Sequence, residues 1–303
     1  MIMTVPSEPL VSILMNCYNG EKFLRESIES VIAQTYNNWE LIFWDNQSTD
    51  HSAEIFKSFN DKRLKYFFAP KHTLLYEARN YAAEESLGNF IAFLDVDDYW
   101  ETNKLDEQMK VFIKDENVAM VYSNYYFKNE IKNTNKILYN NKLPEGLILD
   151  KLLRKHIVGL LTMIINRNYL SKGEPLFDSR LHNIGDFDIA IRISSKNKVV
   201  CIQQPLATYR WHGKNETIST MDKQIKELEN WGKEMLNCPG ISNNEGFDVF
   251  LNNTKYLKGI RFAMKGELRN AFKMLLKMSY GKEMLKLLIS ILLPLRIIKL
   301  LRS

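Results

Sequence analysis

Along the chain, apolar runs of strand length end in polar clusters and alternate with segments whose apolar positions recur at helical spacing. Residues 10–15 (LVSILM) form a first buried strand that breaks into Asn16-Cys17-Tyr18-Asn19-Gly20. Asn19 is placed as an N-cap, and Phe23, Leu24, Ile28, Val31 and Ile32 follow at the period of a helix reaching Gln34. Residues 39–44 (WELIFW) give a second strand, again with a polar exit, Asp45-Asn46-Gln47-Ser48-Thr49-Asp50. A short helix over 52–59, a third strand over 64–68 and a helix over 73–87 come next. The last carries Leu74, Leu75, Ala78, Ala82 and Leu87 on one side. Gly88 leads into residues 90–94, an apolar run of five that suits a buried strand and is too short for a helix. This alternation predicts an α/β fold with a mostly parallel central sheet and helices on both faces.

The fourth strand breaks into Asp95-Val96-Asp97-Asp98. Three carboxylates at the carboxyl end of a buried strand repel one another and lose hydration unless a cation sits among them. Ligands of open α/β sheets bind at that end of the strands, and hard oxygen donors at this spacing suit a divalent ion bridging to a phosphate. For any single Asp the alternative is a turn or an N-cap. Because strands of a parallel sheet exit at one edge, Tyr18, Asp45 and the acidic group at 95–98 converge although distant in sequence. Neither GxGxxG nor GxxxxGK[ST] follows the first strand, so a dinucleotide fingerprint and a Walker loop are both absent.

Beyond that group, residues 104–113 read as a helix, 118–122 as a strand and 123–139 as a loop or hairpin. Residues 147–156 read as a helix and 159–165 as a strand. Ile189, Ile191 and Ile193 alternate as in a strand. Past residue 220 the pattern is helical, over 221–236, 247–264 and 267–278, which divides the chain into a domain of residues 1–220 and a helical region of 221–303.

Composition narrows the class. Charged residues at 25% and apolar ones at 45% of 303 positions describe a globular chain. Cys17, Cys201 and Cys238 are far apart and in no CxxC pair, so neither a disulfide framework nor a zinc site is expected, and a reducing cytoplasm is. The N-terminus lacks a basic segment followed by an apolar core, so no secretory signal is expected. The net charge of +5 is uneven: Lys282, Lys286, Arg296, Lys299 and Arg302 against Glu283 leave residues 282–303 at +4. That tail interleaves leucine and isoleucine with basic residues, and its longest uncharged run is nine residues, 287–295. A spanning helix needs about 20 apolar residues, so the tail is expected to lie on an anionic membrane surface. Packing on the helical region or on a twin subunit of a homo-oligomer is the alternative.

The stretches VSILMNCYNGEKFLRESIESVIAQTYNNWELIFWDNQSTD and EARNYAAEESLGNFIAFLDVDDYW resemble glycosyltransferase family 2. These are inverting enzymes of the GT-A fold that use nucleotide-diphosphate sugars. The likeness is dense over residues 10–125 and thinner to about 220. It implies that Tyr18 lies against the nucleobase with Glu21 nearby, and that Asp45 accepts a hydrogen bond from the base. Arg79 would approach the nucleotide or its pyrophosphate and Asp95 the ribose. Asp97 would bind Mn2+ or Mg2+ bridging the phosphates, with Asp98 in support. Relatives place the base that deprotonates the acceptor in a Glu-Asp pair before an aromatic and an apolar helix. Asp186 takes the second position, Gly185 departs at the first, and Asp188 is read as a helix cap. The resemblance therefore makes 185–192 a helix, against the alternation. The segment Tyr209-Arg210-Trp211-His212 resembles a loop that closes over the diphosphate. His212 would then be a metal or phosphate ligand, with Arg210 and Lys214 supplying positive charge.

The expected function is transfer of a sugar, from UDP by family habit, to a saccharide or lipid-linked saccharide in surface polysaccharide synthesis, lipopolysaccharide among them. The expected location is the inner face of the cell membrane, and no nucleic acid is among the expected partners. Three alternatives stand beside it. A phosphotransferase would need its Asp-x-Asp at the first strand, which here ends in Asn16, and a nucleotidyltransferase would open on a glycine-rich basic loop. A membrane-bound scaffold of the same fold without activity is the third.

Overall fold

The structure is a computed structural model and describes residues 8–171, 173–215 and 220–293. Strands β1 (Val11–Cys17), β2 (Trp39–Asp45), β3 (Leu64–Phe68) and β4 (Phe90–Phe93) are joined by helices α1 (Glu21–Ile32), α2 (Ser52–Lys57) and α3 (Leu75–Glu84). β1 pairs in parallel with both β2 and β4, and β2 with β3. Every residue of β1 and β2 is buried, as expected of strands covered on both faces. Val11, Ile13, Met15 and Cys17 share a core cluster with Leu41, Phe43, Phe90 and Ala92 of the neighbouring strands and with Leu24, Ile28 and Val31 of α1. The two-residue period of the strands and the helical period of α1 thus meet on one side of the sheet. Burying each of the valine, leucine, isoleucine, methionine and phenylalanine side chains among them contributes roughly 1.5–3 kcal/mol.

The second half of the sheet is mixed. β5 (Tyr99–Trp100), α4 (Lys104–Lys114), β6 (Val118–Asn129), β7 (Thr134–Ile137), α5 (Leu149–Arg154), β8 (Ile164–Asn166), α6 (Gly185–Ser194) and β9 (Lys198–Trp211) follow in chain order. The sheet runs β3-β2-β1-β4-β8-β6-β9-β5, with β7 on β6. β8 is antiparallel to both β4 and β6, β5 is antiparallel to β9, and β6 and β9 are parallel.

Several sequence expectations change. Asn19 does not cap α1: it has φ of 55°, and its Oδ1 accepts the Thr49 N–H at 2.8 Å. The buried side of α3 is Tyr76, Ala78, Arg79, Ala82 and Ala83, whereas Leu74 and Leu87 are exposed. Residues 123–129 continue β6, its last four residues, 126–129, pair with β7 as a hairpin, and Tyr122 and Asn124 of β6 are buried. Residues 160–162 are a 3-10 turn, and only 164–166 are strand. Residues 185–194 are helical, with Phe187, Ile189, Ala190, Ile191 and Ile193 all buried. A helix enclosed on most sides loses its amphipathic period, which is why the isoleucine alternation misleads. Tyr209, Arg210 and Trp211 belong to β9, not to a loop.

The chain forms two compact units, Met1–Ile148 with Ile157–Asn215, and Leu149–His156 with Glu216–Ser303. A boundary drawn only at residue 220 misses that α5, from mid-chain, belongs with the C-terminal helices. These are α7 (Met221–Met235), α8 (Pro239–Ser242), α9 (Glu245–Met264), α10 (Leu268–Leu275) and α11 (Lys282–Leu292). Tyr256 and Ile260 of α9 pack with Leu275, Met278 and Leu287. Among the described residues no helix is long and apolar enough to cross a membrane. The end of the tail, 294–303, lies outside the described residues.

Candidate active site

Parallel pairing aligns Cys17 with Asp45 and Leu14 with Phe93, so the exits of β1, β2 and β4 share one edge. Side chains of the second exit hold the backbone of the first. Asn19 N–H donates to Ser48 Oγ at 3.1 Å, Gly20 N–H to Ser52 Oγ at 3.0 Å, and Glu21 N–H to Asp50 Oδ2 at 3.0 Å. Glu21 in turn accepts from His51, from its N–H at 3.0 Å and at the ring Nδ1 at 2.8 Å. A Cβ on Gly20 would lie 2.7 Å from Val96 Cγ2, so the first exit rests directly on the acidic turn and only glycine fits there. Tyr18 is 55% exposed, and its ring stands 4.5 Å from that of His72, leaving a face open to a flat ligand. Asp45 is fully buried and already engaged, its Oδ1 by Ser48 N–H at 2.7 Å and its Oδ2 by Tyr66 OH at 2.7 Å. It fixes the turn from behind.

In the acidic turn each carboxylate has a different partner. Asp95 accepts from Arg79 Nη2 at 2.5 Å; the guanidinium is nearly enclosed while the carboxylate is 40% exposed. Asp97 Oδ2 lies 3.0 Å from His212 Nε2. Asp98 is buried and accepts the Arg210 N–H at 2.8 Å. Burial, and then the charge of Asp95, raise the Asp97 carboxyl above the ordinary range, with His212 opposing. Burial, Asp97 and Asp95 raise Asp98 well above it, with Arg210 opposing. Such frustrated carboxylates are relieved by a cation.

Asp97 and His212 offer an oxygen and a nitrogen of the kind Mn2+ or Mg2+ accepts, and phosphate oxygens and water complete such shells. Among the described residues no three ligating side chains already converge on one point. The Lys214 N–H points at His212 Nδ1 at 3.3 Å, which assigns the ring proton to Nε2. A metal at Nε2 requires the other tautomer and displaces that long bond.

Arg210 is not available to a diphosphate, contrary to expectation. Its side chain is 3% exposed and bridges Glu26 and Glu130 at 2.5 Å each, while its Nε donates to the Asp97 carbonyl at 2.8 Å. It braces the acidic turn. Lys214 is exposed.

Asp186 lies in the first turn of α6, where the helix N-terminus favours a carboxylate. Its Oδ1 accepts the Phe187 N–H at 2.8 Å and faces the Tyr76 hydroxyl at 3.4 Å. Tyr76 packs on Phe177 at 4.9 Å between ring centroids and over the Arg79 guanidinium at 5.1 Å. Asp186 thereby belongs to the same packed group as Arg79 and Asp95. The N-cap position of the helix is Ile184 rather than Asp188, whose Oδ2 accepts from Arg192 Nε at 2.8 Å, one turn on. Sequence reasoning missed Tyr76, Glu26 and Asn80, the last of which brackets the Phe177 backbone from both sides at 2.8 Å. The available signal for Tyr76 was its position three residues before Arg79, on the same helix face.

The sequence profile of glycosyl transferase family 2 matches residues 12–172. An Escherichia coli relative, the UDP-Glc:alpha-D-GlcNAc-diphosphoundecaprenol beta-1,3-glucosyltransferase WfgD, is 34% identical over 220 residues, covering 73% of this chain and 83% of that protein. Among solved structures, S. aureus TarS 1–349 in complex with UDP-GlcNAc has a TM-score of 0.68 at 17% identity, covering 88% of this chain and 79% of that one. The mannosyltransferase PcManGT from Pyrobaculum calidifontis, in complex with GDP-Man and Mn2+, has a TM-score of 0.65 at 15% identity, with 94% and 80% covered. At those identities the likeness is one of fold, the GT-A arrangement with added C-terminal helices. The parallel edge with its acidic turn, the profile match and the relative at 34% identity agree: the chain is a glycosyltransferase and belongs to family 2.

Proposed function

We propose that this enzyme is an inverting, metal-dependent transferase that moves a sugar from a UDP-sugar to a lipid-linked saccharide during cell-surface polysaccharide synthesis. The observation that carries the reading is the Asp97–His212 pair at 3.0 Å on a buried acidic turn, beside the Arg79–Asp95 pair and linked through Tyr76 to Asp186. The donor and acceptor classes are supported by the activity of WfgD, which uses UDP-Glc and a diphosphoundecaprenol acceptor.

When bound at Asp97 and His212, Mn2+ or Mg2+ supplies charge to offset that of the departing diphosphate. The side chains do the rest. Tyr18 lies against the base, and Asp45 holds the turn that frames it. Glu21 orders the neighbouring His51 segment, Asp95 takes the ribose, Asp98 ties the turn to β9, and Arg79 and Lys214 lend positive charge. Asp186 accepts the proton of the acceptor hydroxyl as that oxygen bonds to the anomeric carbon. The bond from that carbon to the diphosphate breaks on the opposite face, and its electron pair leaves with the diphosphate.

The C-terminal helices support action at a membrane surface. On α10 and its end, Ala271, Leu275 and Met278 are buried; Leu268, Phe272 and Leu276 are exposed; and Arg269, Lys273 and Lys277 lie beyond them. At 100° per residue these form three adjacent bands, one packed, one apolar and open, one basic. α11 repeats the order with Leu287 buried, Leu285, Ile289 and Leu292 exposed, and Lys282 and Lys286 basic. An apolar band edged by basic residues suits the headgroup region of an anionic bilayer. The proposed location is therefore peripheral, on the cytoplasmic face.

The test is a transfer assay with a panel of nucleotide sugars, Mn2+ and a GlcNAc-diphospho-lipid acceptor. The expected result is a single extended product from one UDP-sugar, with inverted anomeric configuration. Retained configuration, or transfer only from other nucleotides, contradicts the proposal.

A further inference from the structure

Helix α6 begins at Gly185, and the space where a side chain would stand there is filled by Tyr76. A Cβ built on Gly185 would lie 2.6 Å from Cε1 and Cζ and 2.7 Å from Cδ1 of that ring. Ordinary carbon contacts are about 3.5–4.0 Å, so the ring and any residue larger than glycine exclude each other. The ring has little freedom to yield. It is 3% exposed and packs against both Phe177, at 4.9 Å, and the Arg79 guanidinium, at 5.1 Å, which itself lies 6.0 Å from the Phe177 ring and is tied to Asp95.

The hydroxyl of this fixed ring makes two contacts with one residue. It accepts the Asp186 backbone N–H at 3.1 Å and faces Asp186 Oδ1 as a donor at 3.4 Å. Burial, and then the charge of Asp186, push the Tyr76 phenol upward, so it remains protonated and keeps its donor. The 3.4 Å contact is long for an O–H···O bond, so most of the constraint comes from the backbone contact and from the ring seated on Gly185. Phe187 N–H takes the same Oδ1 at 2.8 Å. Both donors thus lie on Oδ1.

We infer that Tyr76 is a positioning residue: its hydroxyl and its ring, seated on Gly185, orient Asp186 so that Oδ2 presents to the acceptor hydroxyl. The inference rests on Asp186 being the base. Arg79, which contacts the same ring and pairs with Asp95, belongs to the donor side of the site. One packed column of Asp186, Tyr76, Arg79 and Asp95 therefore sets base and donor in register, where misplacement by about 1 Å costs roughly 100-fold in rate.

Steady-state kinetics on Tyr76→Phe, Gly185→Ala and the double variant test this, with Asp186→Asn alongside. Tyr76→Phe keeps the ring over Arg79 and removes the hydroxyl. It is expected to lower kcat by about 10- to 100-fold while the donor KM and the Kd for UDP with Mn2+ stay at wild-type values. Gly185→Ala must push the ring aside and is expected to lower kcat in the same way. Because both act through one contact, the double variant should lose little more than the worse single variant. Gly185→Ala gives an independent reading should Tyr76→Phe fold poorly. Wild-type kcat in Tyr76→Phe, or a loss carried by donor KM, overturns the inference while an inactive Asp186→Asn leaves the base assignment standing. A fully active Asp186→Asn overturns both.

Discussion

Asp95, Asp97 and Asp98 follow one another closely, yet each faces a different cation or dipole: Arg79 for the first, the His212 ring for the second, the Arg210 backbone for the third. That division sorts their work, since Asp95 and Asp97 remain open to a ligand while Asp98 is buried. Asp186→Asn keeps the shape of the side chain and removes its proton affinity. Donor binding should therefore persist, by calorimetry, while transfer falls by about 100-fold or more; full activity would rule it out as the base. Arg210→Met strips the brace from the acidic turn and leaves Glu26 and Glu130 facing each other. It should lower stability by about 1–3 kcal/mol, read by urea denaturation, and an unchanged midpoint would contradict that role. The acidic residues were legible in the sequence because three carboxylates crowded at the end of an apolar strand are costly unless a ligand offsets their charge. Arg210 was misread, because a sequence does not show which of its neighbours fold back upon it. Tyr76 was overlooked because a single tyrosine on a helix ordinarily means packing.

Among the elements, the junction of β1, β2 and β4 is held by one buried glutamate. Glu40 accepts from Ser12 Oγ at 2.6 Å, from Leu87 N–H at 2.6 Å and from Lys65 Nζ at 2.5 Å. Burial alone would raise its carboxyl, but the bonds from Lys65, Ser12 and Leu87 outweigh it and hold the group below 4.5. A carboxyl depressed in the folded state binds its proton more readily when unfolded. Its contribution is thus fully present above pH 4.5 and is lost as the pH falls through the lower folded value. Glu40→Gln should accordingly flatten the acid limb of stability against pH, and a limb identical to wild type would contradict it. Gly88 sits at the same junction, where a Cβ would meet the Leu10 carbonyl at 2.6 Å and Ser12 Oγ at 2.7 Å. Gly88→Ala should lower stability by about 1–3 kcal/mol, measured as a shift in melting temperature; an unshifted transition would show that the strands can part there. β1 to β4 were readable because buried parallel strands leave continuous apolar runs. The segment 185–194 was not, because burial on most sides hid its helical period, and β8 was blurred because only three residues of it pair.

At the scale of the molecule, the catalytic fold and the C-terminal helices are separate compact units, the second drawing Leu149–His156 from mid-chain. That return of the chain had no signature in the sequence, since residues 149–154 carry an ordinary helical pattern. The paired apolar and basic bands of α10 and α11 carry the proposal that this unit rests on a membrane surface. Each basic residue near an anionic surface adds about 1 kcal/mol. Replacing Leu276 and Leu285 by Glu should therefore release the protein from phosphatidylserine vesicles in a sedimentation assay, as should deletion of residues 282–303; binding undiminished in both would remove the membrane role. The proposed function stands or falls with Asp97 and His212 holding one divalent cation against a nucleoside diphosphate. Calorimetric titration of UDP into the protein, with Mn2+ and then with chelator, in wild type and Asp97→Ala, tests it most directly. UDP is expected to bind the wild type only when Mn2+ is present and to leave the variant unbound; equal binding under all four conditions would overturn the metal assignment.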